Sequence, residues 1–376
     1  MSVAIRPVQT RREVDRFIKL PWKIYKNNPA WIPPLLLERK QFLNPKKNPY
    51  FEHAEVQLFL AERDGEVVGR ISAQIDHLHN RTHKEQTGFF GFFESVEDFE
   101  VSSALIEEAS AWLRNQGMKT LRGPFSFSIN EESGLLIEGF EYPPYILMPH
   151  NPPYYSNLLE QSGLKKVKDL YGWNRDVFSP FPEEVYGIIE EVKKYPGLKI
   201  REVNPKDLKK DVQIIVDVFN SAWSQNWGFV PLTEHEVQKM ADDFKLILDP
   251  HVALIAEVNG LPVGICVGLP NLNEAIRDLN GRLFPFGFLK LLYRVKRRKI
   301  KSGRVILLGI KKEYRGSVLG ALSVLFYVEI GQRGRARGFR ASELSWTLED
   351  NEKINRGIEL MGGERYKTYR IYEKSL

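Results

Sequence analysis

The sequence predicts an α/β fold, a mixed sheet with helices on both faces, present as two tandem domains. Two observations carry this prediction. The two halves of the chain share short motifs at a nearly constant spacing. The second half also follows the order β-α-α-β-β-β-α-β-α-β when its apolar runs and turn signals are taken in sequence. A chain of 376 residues is long enough for two such domains.

The internal repeat defines the predicted domain boundaries. Residues 60–69 (LAERDGEVVG) match residues 255–264 (IAEVNGLPVG), and each stretch contains an Asp-Gly or Asn-Gly pair typical of a two-residue hairpin turn. Two further matches lie on either side: 31–33 with 229–231, and Gly163/Lys168 with Gly362/Lys367. We therefore predict an N-terminal domain over 1–178, a connecting helix or linker over 179–196, and a C-terminal domain over 197–376.

Composition and charge exclude several classes of protein. No run of 18 consecutive apolar residues occurs, so no membrane span is expected, and the first residues lack an apolar signal core. With one cysteine, Cys266, the chain cannot form an internal disulfide, which favours a cytoplasmic location. The net charge of +6 suits an anionic ligand. Oligomeric state is left open.

The elements of the second half are expected in a definite order, each delimited by a turn signal. An Asn-Gly pair separates the two hairpin strands, and Gly362-Gly363 is typical of a helix C-terminus. The predicted strands are 198–203, 252–258, 263–269, 305–310, 342–348 and 366–372, and the predicted helices are 212–223, 235–248, 319–333 and 352–361. A basic helix over 286–299 is predicted as an insertion before the strand that begins at residue 305.

The stretch 305–321 (VILLGIKKEYRGSVLGA) carries most of the functional information. An apolar strand enters a basic turn that contains glycine, and a helix follows. Unpaired backbone N–H groups and the positive end of a helix dipole can hold a phosphate in such a layout. The expected N–H donors belong to Arg315, Gly316, Ser317, Leu319 and Gly320. The stretch therefore predicts a phosphorylated cofactor.

This stretch and a second segment resemble the GCN5-related N-acetyltransferase (GNAT) superfamily, specifically its bacterial tandem-domain members. Residues 315–321 resemble the family's Arg/Gln-x-x-Gly-x-Gly/Ala loop, and Asn351 with Gly362 resembles its strand-Asn-helix-Gly segment. The resemblance implies acetyl-CoA or coenzyme A as cofactor. The implied contacts are Ile310, Lys311, Arg315, Gly316, Ser317, Val318, Leu319, Gly320, Ala321 and Asn351.

Three departures from the family pattern accompany this resemblance. Val318 stands at the central glycine of the loop, and Ile358 stands where the family often has a tyrosine acting as general acid. In the first half the corresponding turn, 96–100 (VEDFE), is acidic and lacks glycine, which would repel a pyrophosphate. The N-terminal domain is therefore predicted to have a degenerate cofactor loop, and the C-terminal domain to bind the acyl-CoA.

Acyl transfer to an amine needs a donor for the developing oxyanion, a base and an acid. The backbone N–H of Leu308 or Gly309 is the expected donor, and Glu343 or Glu349 the expected base. With Ile358 at the usual acid position, Tyr369 is the expected substitute, and Tyr366 and Tyr372 are alternatives. The sequence does not decide between the two candidate donors, between the two candidate bases, or among the three candidate tyrosines.

The acceptor is expected to be the amine of a small molecule or peptide. The stretch 219–233 supplies flat apolar walls and hydrogen-bonding groups, with Trp223, Asn226, Trp227 and Phe229 as predicted contacts. No metal is expected, because the run 76–83 (DHLHNRTH) fits no common zinc spacing.

The sequence thus predicts an acyl-CoA-dependent N-acyltransferase, most simply acetyl to amine, by direct attack in a ternary complex. Two alternatives stay open. One is a tandem module that binds acyl-CoA or another anion without turnover. The other is an aminoacyl or peptidyl transferase similar to FemABX proteins, in which the basic run 290–304 would meet RNA, although nucleic acid is not the expected partner.

Overall fold

The computed structural model of the chain describes residues 2–245 and 247–376. The strands are β1 (Ala4–Pro7), β2 (Ala54–Arg63), β3 (Glu66–Asp76), β4 (Thr87–Ser95), β5 (Thr120–Gly123), β6 (Leu135–Glu138), β7 (Lys165–Asp176), β8 (Leu198–Glu202), β9 (Ala253–Val258), β10 (Leu261–Pro270), β11 (Ser302–Ile310), β12 (Ala341–Leu348) and β13 (Glu364–Ser375). The helices are α1 (Arg11–Ile24), α2 (Leu36–Phe42), α3 (His77–His83), α4 (Phe99–Asn115), α5 (Tyr155–Gln161), α6 (Glu183–Lys193), α7 (Leu208–Trp223), α8 (Glu234–Phe244), α9 (Leu272–Ile276), α10 (Gly287–Lys296), α11 (Leu322–Ala336) and α12 (Glu352–Leu360).

The chain forms two compact units that interleave along the sequence. Unit 1 contains the residues up to Leu170 together with Ile276–Gly287 and Lys367–Leu376, and unit 2 contains Tyr171–Ala275 and Phe288–Tyr366. These units do not follow the repeat boundaries, because two segments of the second half belong to unit 1. The division into 1–178, 179–196 and 197–376 stays a prediction about the repeat.

Unit 1 is a sheet flanked by helices. Its strands lie in the order β1-β2-β3-β4-β5-β13, and β6 also pairs with β13. β4 and β5 are parallel, whereas β13 runs antiparallel to β5, with Tyr372 opposite Gly123. Helices α4 and α5 cover one face, where Leu105, Ile106 and Leu159 are buried. The loop before α10 joins this unit through the hydrogen bond from Trp22 Nε1 to Asn280 Oδ1, 2.6 Å long.

Unit 2 repeats this plan with the order β7-β12-β11-β10-β9-β8. Helix α11 packs on one face, burying Leu325 and Phe326, and α7 packs on the other, burying Ile215 and Val218. Helix α8 begins with a capping box, in which Thr233 and Glu236 satisfy each other's backbone N–H groups. Helices therefore lie on both faces of a mixed sheet, as predicted.

All the elements predicted for the second half are present, with three differences. The helix predicted from residue 319 begins at Leu322, because Val318–Ala321 forms a tight 3₁₀ turn. The helix predicted over 235–248 ends at Phe244, and residue 246 lies outside the described residues. Helix α9 was not predicted. Among the described residues, none of the helices is long and apolar enough to cross a membrane.

Candidate active site

The most distinctive feature of unit 2 is an opening between two neighbouring parallel strands. β11 pairs with β12 from Ser302 opposite Ala341 to Val305 opposite Leu344, and the pairing ends there. The next residues of β11, 306–308, are only half-buried, although this strand lies inside the sheet. The matching strand of unit 1, β4, is buried along its whole length. The two strands of unit 2 therefore diverge and leave a gap that begins after Val305.

A β-bulge lies at the start of this gap. The register of β10 against β11 shifts between Val267 and Gly268, so that Ile306 has no direct partner. A bulge bends its strand and re-aims the backbone groups that follow it. Here it turns β11 away from the line of β12 at the residue where their pairing ends.

The N–H of Leu308 points toward the gap. The N–H of Lys311 donates to the carbonyl of Val263 at 2.9 Å, and Gly309 and Leu308 follow in register opposite Ile265 and Cys266. Because N–H groups alternate in direction along an antiparallel pair, Gly309 donates toward β10 and Leu308 donates away from it. Of the two predicted oxyanion donors, Leu308 thus has the suitable direction.

One of the predicted acceptor residues, Trp223, lies against this part of β11. The ring of Trp223 packs on the backbone of Gly309, where an added Cβ would lie 2.3 Å from the ring. Phe219 contacts both Trp223 and Phe229, with ring centroids 5.0 and 5.5 Å apart. Asn226 is half-buried, as is Trp227. The end of α7 and its loop thus form an aromatic wall beside the gap.

The turn after β11 is closed by its own hydrogen bonds, which corrects the prediction of free amides. Four of the five expected donors are engaged: Arg315 donates to Lys312 O, Ser317 to Tyr314 O, Leu319 to Ser317 Oγ and Gly320 to Ser317 O. The physical reason is that two 3₁₀ turns, Lys312–Tyr314 and Val318–Ala321, draw these amides inward. Around Gly316 the space is open, with no atom within 4 Å of an added Cβ.

Two basic side chains of the turn hold the end of α7. Arg315 donates from Nε to the carbonyl of Ile310 at 2.9 Å and from Nη2 to the carbonyl of Ala222 at 2.7 Å. Lys312 Nζ donates to Ser224 Oγ at 2.9 Å. Cations at a helix C-terminus satisfy carbonyls that have no partner within the helix. These contacts attach the aromatic wall to the turn, which sequence reasoning did not foresee.

Asn351 stands at the start of α12, as its place in the sequence predicts. It is the N-cap residue of this helix, but its side chain makes no capping hydrogen bond. Asparagine usually caps the helix from this position. The side-chain amide of Asn351 therefore does not cap α12 and is available for another contact.

The side chain of Glu343 lies at the point where the strands diverge, and it is completely buried. Its Oε1 accepts a hydrogen bond from Ser345 Oγ at 2.5 Å, and Ser345 Oγ accepts one from Arg304 Nε at 2.8 Å. The Tyr366 hydroxyl donates to Oε2. Arg304 Nε lies 3.6 Å from Oε1, which supplies the opposite charge that a buried carboxylate needs.

Two further candidates are Glu349 and Tyr369. Glu349 is half-buried one residue after the end of β12. Tyr369 is fully buried in unit 1, where it stands opposite Leu136 of β6 and packs on the backbone of Gly134. The Tyr366 hydroxyl is thus in contact with a candidate base, Glu343. The sequence feature that could have indicated this cluster is Arg304, the single charged residue of strand β11.

A cavity adjoins the gap on the α11 face of unit 2. It has about 540 Å³ of empty space, part of it open to solvent, and its walls are almost entirely apolar. The last pair before the strands diverge, Val305 and Leu344, forms part of the wall. Two glycines of α11, Gly331 and Gly334, face it from the helix. The cavity and the gap therefore meet at the same strand pair.

The equivalent place in unit 1 holds a buried carboxylate. The repeat glycines Gly69 and Gly264 pair with the last residues of β4 and β11, so the next-to-last residues, Glu94 and Gly309, are equivalent. Glu94 accepts hydrogen bonds from the hydroxyls of Tyr155, at 2.7 Å, and Tyr25, at 2.9 Å. Burial raises the pKa of Glu94 above its usual range.

The chain itself fills the gap of unit 1. The N–H of Phe125 donates to the carbonyl of Phe90 at 2.8 Å. The chain after β5 therefore covers the place where unit 2 has its gap. The carbonyl of Phe125 lies so close to Gly91 that an added Cβ would be 1.7 Å away, and it accepts from Gln74 Nε2 at 2.9 Å. Unit 1 thus has the same order of strands as unit 2 but no gap between β4 and the chain that follows β5.

The histidine-rich run of unit 1 forms α3 and does not gather into a metal cluster. His53 Nδ1 lies 3.2 Å from Asp76 Oδ1, and His79 is buried against Phe89. Across residues 2–245 and 247–376, no group of three or more His, Cys, Asp or Glu side chains is placed to hold a metal ion.

Comparison with known proteins gives two relatives along the whole chain. Protein YghO of Escherichia coli (strain K12) is 42% identical over 377 residues, which cover 99% of this chain and 95% of the relative. The bacterial ceramide synthase of Caulobacter vibrioides (strain NA1000 / CB15N) is 42% identical over 379 residues, which cover 100% of this chain and 98% of the relative. No family model matches the chain.

Solved structures give the fold. A tandem GNAT protein from the clavulanic acid biosynthesis pathway, solved without AcCoA, superposes with a TM-score of 0.59 at 11% identity, covering 100% of this chain and 98% of that chain. At this sequence identity the match is evidence for the fold alone. The shared fold confirms the resemblance to the GNAT superfamily that the sequence indicates. The chain therefore belongs to the family that contains protein YghO and the bacterial ceramide synthase, and its fold is that of a tandem GCN5-related N-acetyltransferase.

Proposed function

We propose that the chain is an acyl-CoA-dependent N-acyltransferase that works in unit 2, in the gap between β11 and β12. The observation that carries the proposal is the end of strand pairing after Val305, together with the N–H of Leu308 that points into the opening. The name of the ceramide synthase relative supports the reaction class, because a ceramide is a long-chain amine with an acyl group on its nitrogen. Acyl-CoA would supply the acyl group as an activated thioester.

The residues that would hold the coenzyme fit it in part. Asn351 has an amide that its own helix does not use, and Gly316 has open space around it. Ile310, Lys311 and the turn from Arg315 through Ser317, Val318, Leu319 and Gly320 to Ala321 complete the proposed contacts. The engaged amides of the turn would exchange their internal hydrogen bonds for phosphate oxygens, so binding would loosen the two 3₁₀ turns.

In this proposal the backbone of β11 stabilises the charge that develops during transfer. When an amine attacks a carbonyl carbon, the carbonyl oxygen becomes negative, and a fixed N–H donor aimed at it lowers the barrier. Leu308 supplies that donor, and the packing of Trp223 on Gly309 keeps the strand in place. The N–H of Gly309 points toward β10 and serves the sheet.

Tyr366 and Glu343 form the proposed proton path. The carboxylate is completely buried, whereas Tyr366 is half-exposed, so the phenol is the end of the pair that an incoming amine can reach. Tyr366 Oη takes the proton from the amine nitrogen and passes its own proton to Glu343 Oε2. As the C–S bond breaks, the reverse transfer would return a proton through Tyr366 to the leaving thiolate, which leaves Glu343 ionised again. Glu349 is the second candidate for the base, at the end of β12.

The cavity favours an acyl group longer than acetyl, which the sequence had suggested as the simplest case. The walls of the cavity are almost entirely apolar, which suits an alkyl chain, whereas an acetyl group needs little apolar surface. Because Val305 and Leu344 border both the gap and the cavity, a chain attached at the gap can continue into apolar surroundings. Burial of each methylene contributes about 0.8 kcal/mol. We propose a long-chain acyl donor and a long-chain amine acceptor.

Calorimetry with coenzyme A and palmitoyl-CoA tests the proposal. Gly316→Glu places a negative charge in the turn, and Gly187→Glu makes the same change at an exposed glycine of α6 that has equally open surroundings. We expect Gly316→Glu to weaken binding of both ligands at least tenfold, roughly, through like-charge repulsion, and Gly187→Glu to leave it unchanged.

Thiol release in the presence of long-chain amines separates the enzyme from a binding module. Release that depends on both palmitoyl-CoA and the amine supports transfer. Tight binding of acyl-CoA without release of the thiol, over a wide panel of amines, would instead indicate a module that binds acyl-CoA without turnover. Equal affinity of the wild type and both variants would contradict the proposed site.

A further inference from the structure

The segment 282–299 concentrates the positive charge of the whole chain. It contains seven Lys and Arg residues and no Asp or Glu, whereas the entire chain has a net charge of +6. The rest of the chain is therefore nearly neutral, with about one net negative charge. A basic patch of this size attracts an anionic surface.

The same segment exposes large apolar side chains. Phe284 is 78% exposed, Phe286 is 74% exposed and Leu289 is 61% exposed, and Phe288 and Tyr293 are also largely in solvent. α10 has no buried residue at all. Exposed aromatic and leucine side chains that lie this close together in the chain mark an interaction surface in a folded protein.

We infer that the segment 282–299 binds the surface of an anionic lipid bilayer, with its aromatic and leucine side chains inserted among the lipids and its cations at the headgroups. A helix that combines exposed Phe and Leu with Lys and Arg is typical of an element that lies in the membrane interface. Helix α10 is only ten residues long, so it can lie on a bilayer and cannot cross one.

Nucleic acid fits this surface less well. Phosphate contacts need the cations alone, and the exposed side chains of Phe284, Phe286 and Leu289 would gain little from a duplex backbone. A bilayer accepts both kinds of side chain at once. The inference does not depend on the proposed transfer reaction, because it concerns where the protein resides and not what it catalyses.

One basic side chain, that of Arg294, shows how the segment is held while its apolar side chains stay exposed. Arg294 Nη1 donates to the carbonyl of Ala275 at 2.7 Å, which fixes α10 to the end of the chain segment before it. The four consecutive cations from Lys296 to Lys299 are all exposed. The anchor and the contact surface are therefore formed by different residues.

Cosedimentation of the full chain with vesicles tests the inference. We expect binding to phosphatidylglycerol vesicles that is at least about tenfold tighter than binding to phosphatidylcholine vesicles, and that weakens as salt rises. The combined variant Phe284→Ser, Phe286→Ser, Leu289→Ser should bind at least about tenfold more weakly. The matched control, Leu261→Ser with Leu360→Ser, removes equally exposed leucines elsewhere and should bind as the wild type does.

Three outcomes would overturn the inference. These are failure of the wild type to bind phosphatidylglycerol vesicles, equal loss in the control variant, and tRNA binding that the serine variant retains while vesicle binding is absent. The last outcome would assign the segment to nucleic acid. Because the assay contains neither acyl-CoA nor amine, its result is independent of the transfer reaction.

Discussion

The phenol of Tyr366 donates a hydrogen bond to Oε2 of Glu343, a carboxylate with no exposed surface. The two residues come from β13 and β12 and stand 23 positions apart in the sequence. Ser345 Oγ donates to the other carboxylate oxygen, and Arg304 donates to Ser345 Oγ and lies 3.6 Å from that oxygen. A buried charge with its partners in place is stable, whereas loss of one partner leaves an unsatisfied group.

Replacement Tyr366→Phe removes only the hydroxyl and tests its role in proton transfer. We expect kcat for acyl transfer to fall by about 10²-fold, the usual contribution of a positioned acid or base. Stability should fall by about 1–3 kcal/mol, because Glu343 loses a partner. The measurement is amine-dependent thiol release, together with denaturant unfolding.

The control for this substitution is Tyr372→Phe in unit 1. Tyr372 also donates to a carboxylate, that of Glu160, at 3.1 Å. This variant should keep its full rate of transfer. Unchanged kcat in Tyr366→Phe, with the same modest loss of stability, would reduce the pair to a structural role.

Gly309 lacks a side chain because Trp223 occupies the space. Gly309→Ala would place a Cβ 2.3 Å from the indole ring, so the ring or the strand must move. We expect a loss of stability of about 1–3 kcal/mol and a large loss of transfer, since Leu308 would shift with the strand. Near-UV circular dichroism of the tryptophans and the rate of thiol release report the two effects.

Gly316→Ala provides the comparison for Gly309→Ala. The space around Gly316 is open, so the added methyl group meets nothing. This variant should keep the stability of the wild type to within about 0.5 kcal/mol. Equal disturbance by both alanines would show that Trp223 has room to adjust.

The two glycines of α11 predict how acyl length is controlled. An added Cβ at Gly334 would lie 3.4 Å from Phe339, an ordinary contact, so Gly334→Ala should fold normally. Gly334→Leu should fill part of the cavity and shift the preference from palmitoyl-CoA toward shorter donors by about tenfold in kcat/KM. An unchanged preference for acyl-chain length in Gly334→Leu would show that the acyl chain does not bind in this cavity.

Stability should depend on pH through a buried histidine. Burial, reinforced by the charge of His83, lowers the pKa of His79 from 6.5 to about 4. The unfolded chain therefore binds the proton more tightly between these values. The contribution of His79 to stability is present above about pH 6.5 and is lost as the pH falls toward 4, by about 1.4 kcal/mol per pH unit.

Denaturant unfolding between pH 7 and pH 5 measures this slope. His79→Gln should flatten it, because the buried titrating group is gone. Leu261→Ser, a change at an exposed residue that does not titrate, should leave the slope as it is. Identical slopes in all three proteins would place the pH dependence elsewhere.

Local features of the fold could be predicted from the sequence because their causes are local. The Asp64-Gly65 and Asn259-Gly260 turns have the positive φ angles that such pairs favour, and they close the two hairpins as expected. Strand β11 and the Asn351 cap also stand where their patterns placed them. Short-range periodicity and turn chemistry were enough for these elements.

The active-site geometry depends on contacts that are distant in sequence, and the sequence did not reveal it. The family resemblance suggests that the sheet opens next to the strand that begins at Val305, but only the register across the sheet shows that β11 leaves β12 after this residue. Tyr366 was one of three candidate tyrosines, and only the fold brings it to Glu343. The turn amides were expected to be free, but with Val318 at the central position the turn folds into 3₁₀ geometry and uses them.

Unit 1 includes the strand segment Lys367–Ser375, which pairs with β5 after the chain has passed through nearly all of unit 2. During translation, the ribosome must therefore finish unit 2 before unit 1 can acquire its last strand. A fragment cut at the repeat boundary would lack this strand and expose the edge of β5, which is a template for aggregation. Unit 1 can therefore complete its folding only after the whole chain has been synthesised, and a gene encoding the first half alone should give an insoluble product.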